Sequence, residues 1–265
     1  MDLDTNYSFV PLAKRNYVYL SDRRIQELLE KWGVLHNISI QTFSFNEPFQ
    51  PYLKYRLVES FFKDVIIAKE LKTKKFNSWC NEGITATQVK AEQLPCSVLT
   101  MSFFDKLKDP SNNITYDSNK IRKTIRYNEA GEMITDNLRA MLLDPESEEY
   151  MLYERDERKE FIFRIMQMLV IGGKLCQYED VLEPYLDVTK VLYKDLIRVD
   201  KLEATNSLSI STMVLEVVAM NSGDAYFPRN VEDKQNIGFL LVDANNRQIT
   251  TFLHQLDGCE EWKKL

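Results

Sequence analysis

The run Phe161–Ile171, FIFRIMQMLVI, is apolar almost all the way round a helical cylinder, interrupted only by Arg164 and Gln167. Phe161, Ile165, Met168 and Leu169 form one stripe at helical spacing, while Phe163, Met166 and Val170 lie off it. A helix without a polar face has to be surrounded, so any fold for this chain must wrap other elements around it. Lipid is not the surround, because a bilayer needs about 20 apolar residues to be crossed. The pattern predicts one helix from Glu154 to Ile171 as the spine of the core. It is stopped by Gly172-Gly173, where glycine accepts the positive φ of a helix end.

Other elements follow from periodicity. Ser21 reads as the N-cap of a helix carrying Ile25, Leu28, Leu29 and Trp32, ended by Gly33. Asn37–Phe45 alternates and then shifts phase, which predicts a strand with a bulge. Pro48 and Pro51 open a helix through Leu53, Leu57, Phe61 and Phe62, and Ile84–Val89 reads as a strand. Leu99, Phe103 and Leu107 predict a helix that ends before Asp109-Pro110, because a residue preceding proline is pushed out of the helical region. Thr135–Leu143 reads as a short helix.

Val188–Val199 fits either a helix or a strand, and its β-branched residues and Tyr193 favour the strand. Ser207–Ala219 reads as one strand, with Leu208, Ile210, Thr212, Val214 and Val218 on one face. Ile237–Val242 and Gln248–Leu253 form a hairpin about Asn245-Asn246. The expected fold is therefore α+β, mainly helical in the N-terminal and central region, with an antiparallel β-meander towards the C-terminus. Residues 1–265 are expected to form a single compact domain, with a candidate internal boundary in the polar stretch 111–131.

Composition narrows the function classes. The chain is acidic, with a net charge of −6, so it gains nothing from a phosphate backbone and nucleic acid is not an expected partner. The basic clusters Lys69–Lys75 and Lys120–Arg126 are short enough to be solvated surface. The start, MDLDTNYSFV, lacks the basic and apolar regions of a signal peptide. The expectation is a soluble intracellular protein with no membrane span. In that setting the Asn6, Asn37 and Asn113 sequons carry no glycan, and Cys80, Cys96, Cys176 and Cys259 are free thiols.

Catalytic templates fail on residue type and spacing. The two histidines, His36 and His254, lie outside any HExxH, and neither GxSxG nor GxGxxG occurs. Gly173-Lys174 is not a phosphate-binding loop, since that motif needs glycine at Met168 and serine or threonine at Leu175. No cofactor or metal is expected. What stands out is Gly172–Leu186, GGKLCQYEDVLEPYL. Cys176 has no neighbouring base in sequence to lower its pKa, so it reads as a packed thiol. Gln177, Tyr178, Glu179 and Asp180 follow a tight turn that can display them to a partner, with Tyr185 beyond. The alternative is that Glu179 or Asp180 caps the next helix while Tyr178 and Tyr185 pack on the core.

At LCQYED, PYL and YKDL, supported by MSFF in Leu94–Leu107 and FFKD in Phe45–Asp64, the chain resembles the cilia- and flagella-associated protein 300 family. The resemblance runs from about Arg23 to Leu256. It implies a non-enzymatic factor of the cytoplasm and cilium that assembles or transports outer and inner axonemal dynein arms. The partners implied are dynein arm subunits, assembly factors of the kintoun type, and the intraflagellar transport machinery. Two other readings stand beside it: a structural resident of the axoneme, and an enzyme using Cys176 or a carboxylate pair.

Overall fold

The computed structural model describes residues 6–75, 77–129, 131–202 and 206–256. Its centre is a seven-stranded antiparallel sheet drawn from both ends of the chain. The strands are β1 (Phe9–Pro11), β2 (Ile38–Phe45), β3 (Gln88–Leu94), β4 (Thr212–Asn221), β5 (Asp224–Phe227), β6 (Ile237–Asp243) and β7 (Gln248–His254). They run in the order β1-β2-β7-β6-β4. Along its far side β4 pairs with β3, and its last residues pair with β5. The expectation of a mainly helical first half is overturned, because β1, β2 and β3 all come from it and join the C-terminal strands.

The sheet is covered on both faces, which is why β6 reads as an unbroken apolar run rather than an alternating one. Phe239 and Leu241 face one core, with α3 (Asn137–Leu143), α4 (Phe161–Ile171) and α5 (Glu183–Leu196). Leu240 and Val242 face the other, against Leu57, Val58, Phe61 and Phe62 of α2 (Lys54–Lys63). Helix α4 is the spine that its sequence demands. Eight of its side chains are buried, each contributing roughly 1.5–3 kcal/mol of apolar transfer energy.

Several expectations are corrected. The helix anticipated from Glu154 breaks at Glu160 (φ −54, ψ 133) into Arg155–Lys159 and α4. There the Glu160 carboxylate accepts hydrogen bonds from the backbone N and Oγ of Ser97, and Phe161 N donates to Pro95 O at 2.9 Å. Val188–Val199 is not a strand: α5 runs Glu183–Leu196 with Pro184 in its first turn, and burying Tyr185, Val188, Thr189, Leu192 and Leu196 on one face outweighs β propensity. Ser207–Ala219 divides at Ser211, with Ser207–Ile210 pairing Val199–Leu202 in a separate hairpin.

Met101–Leu107 is a 3₁₀ helix that leaves Leu99 exposed. The strand expected at Ile84–Val89 lies at β3 instead. Strand β2 pairs β7 in unbroken register, without a bulge, and Arg247 rather than an asparagine takes the left-handed position after β6 (φ 51). The polar stretch 111–131 carries buried Ile114 and Ile121 and the strand Lys123–Tyr127, which pairs with Met133–Asp136. Cys259 lies outside the described residues.

Candidate functional site

Helix α1 (Arg23–Lys31) is capped not by Ser21 but by Asp22, whose carboxylate accepts from Ile25 N at 3.1 Å. Its C-terminal end is the seat on which the Gly172–Leu186 loop is built. Gly172 ends α4 at φ +68, ψ −165, a combination that only glycine adopts without strain. Gly173 N donates to Trp32 O at 2.8 Å, and a Cβ on Gly173 would collide with the carbonyl of Gly33. Gln177 N donates to Lys31 O at 3.0 Å, so two backbone bonds fasten the loop to the end of α1.

Glu179 then turns inward. Its carboxylate accepts from Trp32 Nε1 at 2.9 Å and pairs with Lys31 Nζ at 2.7 Å. Its backbone N donates to the Tyr185 hydroxyl at 3.1 Å. Tyr185 packs against Trp32 with ring centroids 4.6 Å apart, and both rings are fully buried. The same hydroxyl accepts from Arg139 at 3.1 Å. Arg139 is itself buried, paired with Asp136 at 2.6 Å and donating to Val170 O at 2.6 Å, and its guanidinium lies 3.2 Å beneath the Tyr178 ring. Burial pushes the Tyr185 phenol up, with Arg139 opposing the shift.

At the far end, Asp180 accepts from Lys123 Nζ at 2.9 Å, a hydrogen bond that holds its carboxyl below the ordinary range. Asp180 O accepts from Ile121 N at 2.8 Å, and Leu182 N donates to Asn119 O at 3.1 Å. The loop backbone is therefore tied at both ends and in the middle, while Leu175, Gln177, Tyr178, Asp180 and Val181 point outward. Leu175 is 88% exposed and Tyr178 is 43% exposed.

The five residues singled out in sequence thus divide. Gln177, Tyr178 and Asp180 are on the surface; Glu179 and Tyr185 are the anchors beneath it. Leu175 is the most exposed apolar side chain of the display, a role that the sequence does not mark, since a single leucine carries no pattern. Trp32, Lys31, Arg139 and Lys123 complete the site from positions remote in the chain, which no local pattern reveals.

Cys176 is half-buried, and burial pushes its thiol up to about 11 against the opposing influence of Arg139. At neutral pH it is protonated and a poor nucleophile. Three clefts of ≈ 270, 370 and 300 Å³ lie elsewhere, and none of the three is lined by a residue of 172–186. Among the described residues no group of three or more His, Cys, Asp or Glu could hold a metal ion, and no helix is long and apolar enough to cross a membrane.

The model of a protein family described as cilia- and flagella-associated protein 300 matches residues 6–254. A protein of that name from Chlamydomonas reinhardtii is 29% identical over 252 residues, covering 93% of this chain and 97% of its own length. One from Paramecium tetraurelia is 29% identical over 228 residues, covering 86% and 87%. No solved structure matches the chain.

Proposed function

The chain belongs to the cilia- and flagella-associated protein 300 family, and from that premise we propose that it serves the assembly or transport of outer and inner axonemal dynein arms. It does so without catalysis, by binding other proteins in the cytoplasm and cilium. Dynein arm subunits, assembly factors of the kintoun type and the intraflagellar transport machinery are the partners. The observation that carries the reading is the pinned loop after α4. Leu175, Gln177 and Tyr178 stand on a backbone whose conformation is fixed before any partner arrives. A preorganised loop loses little entropy on binding, and an exposed tyrosine beside an exposed leucine supplies the apolar contact that dominates interface energies.

The thiol version of the enzyme reading is disfavoured, because burial raises the Cys176 pKa to about 11. The test of the proposal is the state of the axoneme in ciliated cells that lack this protein. Outer and inner arms absent from the axoneme, with arm subunits retained in the cell body, support it. Arms that form and dock normally sink it.

A further inference from the structure

The two edges of the central sheet are treated differently. At one edge β1 is three residues long and ends in Pro11, which blunts it against further pairing. At the other, β3 runs seven residues, pairs β4 on one side, and has no strand on its other side among the described residues. Beside it lies a cleft of ≈ 300 Å³ lined by Tyr55, Val58 and Glu59 of α2 and by Val89 and Ala91 of β3. Tyr55 is half exposed there.

The sequence of this edge is self-complementary. Lys90 and Glu92 flank Ala91 on one face of the strand and both are exposed. Lys90 has no carboxylate partner among the described residues, whereas Glu92 pairs with Lys159 at 2.7 Å, lies opposite Glu216 of β4 and is also drawn on by Arg155 and Arg164. Two identical edges can pair antiparallel about a two-fold axis perpendicular to the sheet, and such an axis centres the register on a single residue. Centring on Lys90 or on Glu92 sets that charge directly against its own copy. Centring on Ala91 sets Lys90 opposite the partner copy's Glu92, twice over. Opposite charges across a strand pair stabilise it, and like charges destabilise it.

We propose that two copies of this chain associate through β3, pairing antiparallel about Ala91 so that the two central sheets become one continuous sheet. The Tyr55 side chains and the clefts beside Val89 and Ala91 then close over one another at the junction.

Sedimentation velocity across a concentration series tests this. The wild-type chain is expected to dimerise reversibly. Lys90→Glu and Glu92→Lys each place like charges opposite one another twice, and each is expected to raise the dimer dissociation constant by at least about ten-fold. Mixing the two variants puts opposite charges across both positions again, so the mixture is expected to recover the dimer. Both positions are exposed, and matched unfolding midpoints check that the variants fold. A wild-type chain that stays monomeric, as it would if the edge receives a strand from a different protein, overturns the proposal. So do single variants that dimerise like the wild type, or a mixture that remains monomeric.

Discussion

Trp32 donates its indole N–H to Glu179 across 2.9 Å, joining the end of α1 to the middle of a loop 147 residues further along the chain. Trp32 is fully buried, so Glu179→Ala strands a buried donor and leaves Lys31 without its carboxylate. The expected cost is about 1–3 kcal/mol of unfolding free energy, read by denaturant titration. Leu175→Ser, at an exposed neighbour in the same loop, is expected to cost less than about 0.5 kcal/mol. Equal costs at the two positions would mean that the loop is not anchored through Glu179.

The glycine pair makes a sharper demand. Gly172→Ala introduces a Cβ at a positive φ that runs into the Cys176 side chain and lies 2.8 Å from the backbone Trp32 O, and Gly173→Ala drives one into the Gly33 carbonyl. Each is expected to lower stability by about 2 kcal/mol or more, because the obstacle is backbone and cannot rotate away. The same titration checks it, with Gly131→Ala as the comparison: Gly131 also has a positive φ (+77) but its new Cβ meets nothing within 4 Å, so the excess cost at Gly172 reads the collision alone.

These anchors explain what could be read in the sequence. The spine helix, the hairpin of β6 and β7, and the glycine stop were legible because each is written in consecutive residues. The covered sheet was not. Strand β3, QVKAEQL, is an edge with weak alternation, and β1 is too short to carry a pattern. Helix α5 showed helical spacing and β-branched composition together, and only its burial between α4 and α1 decides between them. At the site, Gln177–Asp180 were visible as an unusual run. Whether each pointed in or out depended on Trp32, Arg139 and Lys123, which local sequence does not bring together.

His254 supplies a pH dependence. It is fully buried, its Nδ1 lies 2.6 Å from Gln235 O, and its Nε2 has no partner among the described residues. Burial lowers its pKa to about 4 from an ordinary 6.5. Between those values the unfolded chain binds the proton and the folded one does not. The stability from this residue is therefore complete above pH 6.5 and is lost as pH falls towards 4, by at most about 1.4 kcal/mol per pH unit. Urea midpoints from pH 7 to pH 4.5 are expected to fall for the wild type and to fall less steeply for His254→Gln. Parallel slopes would contradict the assignment.

Thiol reactivity tests the non-catalytic reading. Burial raises Cys176 to about 11 and Cys96 to about 12. Both are expected to alkylate slowly at pH 7.5, with peptide mapping to identify the modified positions. Rapid labelling of Cys176 with an apparent pKa below 8 would revive the nucleophile.

The surface carried by the 172–181 loop is what we propose serves the assembly or transport of dynein arms. Electron microscopy decides it, on axonemes from cells lacking the protein and resupplied with either the wild type or a Leu175→Asp, Tyr178→Ala chain of unchanged unfolding midpoint. The wild type is expected to restore outer and inner arms, and the loop variant, present at equal level, is not. Arms restored equally by both chains would contradict it.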